Sequence, residues 1–233
     1  MKKAFTLAEV LITLGVIGIV AALTMPALIA NYQKKQTVTQ LQKAYSVLNQ
    51  VLSAASVEYG TFEITGTTLA DAEEFLNKYF LPNLKATQVC VPLSQCGIDI
   101  TTNATYSTLD GTRLPGFDRN ATSVAAIMPD GSTLMLIPYS TAYYLAYIDI
   151  NGKKGPNTLG KDLFQGMMFQ NDALSKGFQF LEEGWKDQVA AREGFFDCTT
   201  GYESYCCKAD SQGKGCGALI QYDGWEIKDD YPW

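Results

Sequence analysis

An apolar segment at the start of the chain places the strongest constraint on its fold. Residues 2–30 read KKAFTLAEVLITLGVIGIVAALTMPALIA, so two lysines precede a long apolar run in which Glu9 is the only charged side chain. At about 1.5 Å per residue, a helix over residues 10–30 is long enough to cross a hydrocarbon layer of roughly 30 Å. A charge in such a helix costs free energy unless it is paired or reaches the interface. Glu9 therefore requires a partner.

A secretory signal peptide is the obvious alternative for this segment. Two lysines precede the apolar run, and the small residues Ala27 and Ala30 each offer a position before a cut. The run is longer than the usual region of about 7 to 15 apolar residues, and it opens with the polar Thr6 and the charged Glu9. We therefore predict a membrane helix.

The predicted helix continues beyond the apolar segment. Apolar side chains recur at steps of three and four residues with polar residues between them, which predicts one apolar face for a globular domain to cover. Gly60 ends this pattern, and Pro26, which removes a backbone hydrogen bond, predicts a kink or a loosened turn. The apolar positions are Val38, Leu41, Tyr45, Leu48, Leu52, Ala55 and Tyr59.

The rest of the chain has the pattern of a small α+β domain. A short helix is expected before Pro82, because the residue before a proline disfavours helix. Segments rich in aromatic and branched residues, joined by turn residues, predict an antiparallel sheet of three or four strands. The predicted elements are a helix at 69–79, strands at 124–128, 133–137 and 143–150, a further strand candidate at 163–169, helix or loop at 176–191, and a strand at 218–222.

Charge and composition exclude several functions. The chain has 24 acidic against 18 basic side chains and no basic block after its first lysines, which argues against nucleic acid as the main ligand. It contains no histidine, which excludes Ser-His-Asp triads, Cys-His dyads and His-ligated zinc. Adjacent carboxylates such as Glu182 and Glu183 are typical of a solvated surface. We expect a protein that is not an enzyme.

Six cysteines all follow the apolar segment. An even number of cysteines in a chain with an export signal predicts disulfides, and none of the spacings is the CxxC of a metal or redox motif. Cys90 and Cys96 bracket a short loop and are a predicted pair. Four cysteines can pair in three ways, and the sequence leaves the choice open for Cys198, Cys206, Cys207 and Cys216.

Residues 3–10, Lys-Ala-Phe-Thr-Leu-Ala-Glu-Val, together with the apolar helix and its amphipathic continuation, resemble the N-terminus of type IV pilins and of type II secretion pseudopilins. The resemblance is specific over residues 2–30 and covers the helical plan to about residue 59. It implies that a prepilin peptidase cuts between Ala4 and Phe5 and that the new amino group of Phe5 is methylated. The family usually has glycine before the cut, so Ala4 is a departure that bears on cleavage efficiency.

The resemblance also implies a role for Glu9, which is the fifth residue after the cut, where the family carries its glutamate. In a bundle of staggered helices, the amine of Phe5 can lie against Glu9 of a neighbouring subunit, so that the two charges neutralise each other. Removing one member of such a buried pair typically costs about 3 to 5 kcal/mol. Snorkelling of Glu9 toward the interface is the alternative. In the family, the segment around Pro26 loosens when helices pack into a filament; a simple kink is the alternative there.

A second resemblance lies in residues 149–164, which look like a loop of pseudopilin-like domains that holds calcium in the major pseudopilins. Asp149, Asn151, Asn157 and Asp162 offer the oxygen ligands that calcium requires, although their spacing is not that of an EF-hand. An Asn-Gly turn and a Gly-Pro loop with side-chain hydrogen bonds explain the same residues. The sequence therefore leaves two interpretations of this loop, a calcium site and a turn closed by its own hydrogen bonds.

The expected organisation is pilin-like: a leader at 1–4, a membrane and assembly helix at 5–30, its amphipathic half at 31–60 and a globular head at 61–233. The expected function is that of a structural subunit of a type IV pilus-like filament. The expected partners are prepilin peptidase, membrane lipid, copies of the chain and other pilins, and an inner-membrane assembly platform. The expected location is the bacterial inner membrane with the head outside the cytoplasm, and after assembly a periplasmic or extracellular filament.

Two other functions fit the same sequence. One is that of a type II secretion pseudopilin, which shares the N-terminal features. The other belongs to a different class: a membrane-anchored or exported protein whose head binds a ligand through the 149–164 loop. The terminal aromatic residues Trp225, Tyr231 and Trp233 fit either a platform for a sugar or a partner or simple packing of the core or tail.

Overall fold

The structure is a computed structural model that describes residues 6–101, 105–114, 117–180, 191–199 and 205–233. It separates into two compact units, Met1–Gln36 and Thr37–Trp233. The boundary falls within the first helix, α1 (Leu7–Tyr59).

In the first unit, α1 exposes apolar side chains on every side. Between Leu7 and Tyr32, the large apolar side chains exposed to solvent have exposed fractions of 42% to 79%. The helix continues through Pro26. This helix is long and apolar enough to cross a membrane, a criterion that signal sequences also meet.

In the second unit, α1 buries the predicted apolar face. Leu41, Leu48, Leu52 and Ala55 are buried, and the other predicted positions pack partly against the same core. The amphipathic pattern is therefore confirmed. A second helix, α2 (Leu69–Tyr79), begins with a capping box and ends as predicted, before the Leu-Pro step at residues 81–82.

The described residues of the head form a single five-stranded antiparallel sheet, one strand more than the three or four predicted. The added strand has only three residues, which is too short to show an alternating pattern. The strands lie in sequence order, so each pairs with the next along the chain. They are β1 (Gln88–Cys90), β2 (Val124–Ile127), β3 (Thr133–Pro138), β4 (Tyr143–Asp149) and β5 (Leu163–Phe169).

Both faces of this sheet are covered. On one face, Leu134 and Leu136 pack in the same core as Leu48 of α1. On the other face, Met135 and Tyr147, which lie opposite each other, pack in a second core. Residues between 90 and 100, together with Tyr106 and Leu114, help to form this core. A sheet buried on both sides needs no polar alternation, so its strands read as nearly continuous apolar runs.

One predicted strand is wrong. The predicted strand at 218–222 lies inside a third helix, α3 (Cys216–Tyr222). A short apolar run fits a buried strand and a buried helix equally well, so periodicity could not decide between them. Close packing against Phe180 also constrains the segment, because a Cβ atom at Gly217 would lie 2.7 Å from that ring.

Three disulfides stabilise the head. Cys90 pairs with Cys96, as the spacing predicts. Of the three pairings open to the later cysteines, the structure forms Cys198–Cys206 and Cys207–Cys216. The second of these bridges ties the start of α3 to the preceding loop.

Short 3-10 turns complete the described elements at Leu93–Cys96, Phe117–Thr122, Leu174–Lys176 and Arg192–Phe196. Most of the predicted helix or loop at 176–191 lies outside the described residues.

The C-terminal segment is held by one arginine. The Nε atom of Arg192 donates to both carboxylate oxygens of Asp223 at 2.7 and 2.9 Å, and its terminal nitrogens donate to Asp230 at 2.5 and 2.7 Å. Tyr231 is buried, while Trp225 and Trp233 pack partly against the core. These aromatic residues therefore contribute to packing of the head.

Candidate functional site

The first candidate site is the start of α1, where Thr6 and Glu9 form a capping box. The main-chain nitrogen and the hydroxyl of Thr6 both donate to Oε2 of Glu9 at 2.9 Å, and the main-chain nitrogen of Glu9 donates to the Thr6 hydroxyl at 3.2 Å. Thr-x-x-Glu before an apolar run is the sequence signature of this cap. Thr6 is thus a residue of this candidate site that the pattern could have revealed and that the sequence reasoning missed.

This cap gives Glu9 a partner within its own chain but leaves its charge in place. Both donors are neutral, so the carboxylate is solvated by hydrogen bonds and not neutralised. The predicted cut lies between Ala4 and Phe5, which are outside the described residues, and both members of the cap follow it. Removal of the leader would therefore leave the cap in the mature chain.

The other polar side chains of the segment are also satisfied within the helix. Thr13 Oγ1 donates to the main-chain oxygen of Glu9 at 2.9 Å, and Thr24 Oγ1 donates to that of Val20 at the same distance. An apolar medium offers no water for unpaired hydroxyls, so such internal bonds are what a helix needs there. Within residues 6–30, Glu9 is the only side chain whose charge an apolar environment leaves uncompensated.

The second candidate site is the β4–β5 connection, where the structure brings the four predicted loop residues together. The main-chain nitrogens of Asn157 and Thr158 donate to the Asp162 carboxylate at 2.8 and 2.7 Å, and Asn151 Nδ2 donates to it at 3.2 Å. The main-chain nitrogen of Asn151 donates to Asp149 at 3.1 Å. These bonds form one network that spans the loop.

Tyr106 completes this network from outside the loop. Its hydroxyl donates to Oδ2 of Asp149 at 2.9 Å. The residue lies 43 positions before Asp149, and no local pattern links the two, so the sequence reasoning missed it. Burial, followed by the nearby charge of Asp149, raises the pKa of the Tyr106 hydroxyl, which therefore stays a donor.

The two carboxylates of the loop are buried without a cation. Asp149 is 0% exposed and Asp162 is 3% exposed, and neither is in an ion pair within the part of the chain that the structure describes. Burial raises the pKa of Asp149 to about 7, with a smaller contribution from the charge of Asp162. Burial likewise raises the pKa of Asp162. The ionised pair is therefore a source of instability at neutral pH.

The oxygen atoms of the loop fit a hard cation. The side-chain oxygens Oδ1 of Asn151 and Oδ1 of Asn157 are buried and accept no hydrogen bond from the residues that the structure describes. Together with two carboxylates they form the all-oxygen donor set that calcium prefers. No group of three or more His, Cys, Asp or Glu side chains that could hold a metal ion occurs among the described residues, so calcium bound here would also need main-chain oxygens or water. The same hydrogen bonds also close the loop as side-chain-stabilised turns, which is the alternative explanation.

Comparison with known proteins places the head in a family but assigns it no function. The model of a family of unknown function (DUF6613) matches residues 27–233. No curated protein and no solved structure matches the chain. The matched region contains the loop with Asp149 and Asp162, whereas the capping box precedes it.

Calcium should stabilise the head if the loop is a cation site. At about one hundred times the dissociation constant, we expect the melting temperature at pH 7.5 to rise by about 5 to 10 °C relative to chelator. Asp162→Asn should abolish this rise, because it removes one of two carboxylates. The exposed Asp210→Asn is the matched control and should keep it. Equal melting temperatures with calcium and with chelator would show that the loop is stabilised by its hydrogen bonds alone.

The pH dependence of stability should report Asp149 when calcium is absent. Its pKa is about 7 in the folded state against an ordinary value of 3.8, so between these values the folded state binds a proton that the unfolded state releases. The free energy of unfolding in chelator should therefore fall as the pH rises from about 4 to 7. Asp149→Asn should flatten this slope, whereas Asp210→Asn should not. An unchanged slope in the first variant would contradict the assignment.

Proposed function

We propose a filament-forming role for this chain, which belongs to the family of unknown function (DUF6613) whose model it matches. In this proposal, the chain is a structural subunit of a type IV pilus-like filament. A prepilin peptidase removes residues 1–4, residues 5–30 hold the subunit in the bacterial inner membrane, and an assembly platform then moves it into the filament. One observation carries the proposal: the apolar surface of α1 between Leu7 and Tyr32, within which only one charge remains uncompensated.

The exposed apolar surface supports a subunit that changes its environment. Each square ångström of apolar surface removed from water contributes roughly 25 cal/mol, and the described chain offers nothing that covers this part of α1. Lipid can cover it before assembly. Like helices can cover it in a filament, where the same side chains pack against one another. The apolar surface of a filament subunit is covered first by lipid and, after assembly, by like helices.

Glu9 supports the proposal through its charge. The neutral donors of Thr6 orient the carboxylate and leave its negative charge available. Cleavage before Phe5 creates a positive amine at the same end of the helix, and in a staggered bundle this amine can pair with Glu9 of a neighbour. An unpaired buried charge costs several kcal/mol, so the pair favours assembled over isolated helices. The cap and the pair are thus compatible roles of one carboxylate.

Two alternatives share some of these features. The loop with Asp149 and Asp162 favours a type II secretion pseudopilin, which has the same processing and the same helix; the secretion genes that accompany the chain would distinguish it. An exported or membrane-anchored binding protein is favoured by the buried unpaired oxygens of Asn151 and Asn157. Its apolar helix would be a signal sequence or an anchor, because both meet the same length and composition criteria.

The N-terminal residue of the protein isolated from cells should separate these classes. We expect N-methylated Phe5, because the proposed peptidase cuts after Ala4. Ala4→Gly should increase the processed fraction, since glycine is the usual residue before the cut. Mass spectrometry of the N-terminal peptide measures both. An intact Met1 or a start near Asn31 would contradict the filament proposal and support an anchored or exported protein.

Variants of the capping box should separate the charge of Glu9 from its hydrogen bonds. Glu9→Gln can retain the capping bonds but has no charge, so we expect a membrane-inserted, processed subunit that does not enter filaments. Thr6→Val keeps the charge and loses the cap, which costs about 1 kcal/mol of helix stability, so filaments should still form. The measurement is the amount of the chain in sheared filaments relative to membranes.

Glu9→Ala and Glu9→Leu serve as further tests, because both remove charge and cap together. Neither should form filaments. Normal filaments from Glu9→Gln or from these two variants would overturn the proposed ion pair. Loss of filaments in Thr6→Val alone would show instead that the cap is the decisive role of Glu9.

A further inference from the structure

A groove of about 470 Å³ opens beside the second half of α1. It lies between this helix, the segment after α2 and the turn between β2 and β3. Val47, Val51, Leu84 and Met128 contribute its apolar lining. Three of these side chains are buried and Val47 is half-buried, so the groove is part of the packed head.

The rim of the groove is positively charged. Lys43 pairs with Asp130 at 2.7 Å, and the Asp130 carboxylate also accepts hydrogen bonds from Ser132. Lys85 stands on the rim with an exposed side chain, and no ion pair to it is formed by the residues that the structure describes. A fitting ligand therefore carries an apolar group with a negative charge beside it.

The end of α1 has this combination. Val57 is 90% exposed, more than any other large apolar side chain that the structure describes. Its neighbour Glu58 is exposed and accepts a hydrogen bond from Tyr59, which leaves its negative charge in place. Glu73 and Glu74 line a shallow depression together with Tyr59 and Lys78, and Lys78 pairs with Glu63 at 2.6 Å. Acidic side chains therefore outnumber basic ones at this end of the head.

We propose that the groove binds the Val57–Glu58 end of a second copy of this chain. Val57 of one copy packs on the apolar lining of the next, and Glu58 pairs with Lys85 on the rim. The apolar contact contributes affinity, while the opposite charges select this orientation over those that bring two acidic surfaces together. The inference rests on the proposed filament function and assigns one of its subunit contacts.

The contact would join two different surfaces of the head. On α1 the groove lining ends at Ala54, one helical turn before Val57 and Glu58, so the two surfaces are neighbours made of different residues. In the proposed contact, a copy that uses its groove for one neighbour presents its own Val57 to another. Contacts of this heterologous kind generate open helical assemblies when the rotation does not close a ring. The head would thus add a directional contact to the packing of the N-terminal helices.

Cysteine cross-linking of the full-length chain tests this contact. All six natural cysteines are in disulfides, so cysteines introduced by Glu58→Cys and Lys85→Cys provide the reactive thiols. After mild oxidation of filaments or membranes, the doubly substituted chain should give a ladder of dimers, trimers and larger species on a non-reducing gel. Each single variant should stop at dimers, and a mixture of the two single variants should give more dimer than either alone.

Charge exchange provides the second measurement. Lys85→Glu should reduce the assembled fraction roughly tenfold, because like charges then face each other, and Lys85→Glu with Glu58→Lys should restore it. Resistance of the head to protease verifies folding in every variant. Filaments that contain the double-cysteine chain but yield only monomers would overturn the inference and leave the groove to another ligand, such as a small amphipathic anion.

The same samples distinguish failure of the contact from failure of the proposed function. A chain that keeps Met1 and forms no filaments contradicts the function. If membranes that hold this unprocessed chain still give a ladder, the contact between copies is supported. If they give only monomers, the contact and the proposed function are both overturned. A chain that begins at Phe5 and forms normal filaments but gives no ladder contradicts only the contact.

Discussion

The burial of one face of α1 against the sheet is the contact on which the head depends. Leu41, Leu48 and Leu52 have no exposed surface, and they share a core with Leu136 and Ala146 of the central strands. Because this face is covered by the chain itself, the second half of the helix belongs to the head. In the part of the chain that the structure describes, the large apolar side chains between Leu7 and Tyr32 have no such cover. The same helix therefore combines a part that the chain itself buries and a part whose apolar side chains are exposed.

Glu9 shows how a charge can be held in such a helix. The capping box provides its hydrogen bonds and organises the first turn, while the threonine hydroxyls further along bond to the main chain. Hydrogen bonds from neutral groups do not cancel a charge, so a cationic partner remains favourable in an apolar medium. The proposed partner is an amine that exists only after the leader is removed. Under that proposal, proteolysis and assembly are coupled by electrostatics.

The loop between β4 and β5 has a related problem inside the head. Asp149 and Asp162 are buried near each other, and their hydrogen bonds come from neutral donors. Either a proton or a cation can relieve the cost of burying these carboxylates, and the pKa of Asp149, which burial raises to about 7, reflects the first of these. The proposed contact at the groove uses exposed charges, where pairing affects orientation more than stability.

Local patterns determined a large part of this architecture. Three of the predicted elements rest on local patterns that can be seen in the sequence alone. They are the long apolar segment, the apolar steps of three and four residues from Val38 to Tyr59, and the turn residues between β2 and β3. The Thr-x-x-Glu cap could also have been predicted from the sequence. The short strand Gln88–Cys90 and the helix Cys216–Tyr222 were not, because a three-residue strand has no period and a short buried run fits both structures.

Contacts between distant residues were decided only by the tertiary structure. The choice of Cys198–Cys206 and Cys207–Cys216 depends on how the C-terminal loops pack. The bond from Tyr106 to Asp149 and the groove between α1 and the β2–β3 turn depend on the order of the strands. Sequence determines which groups a segment offers. Which of them meet depends on packing of the whole chain, because long-range proximity leaves no periodic trace along the sequence.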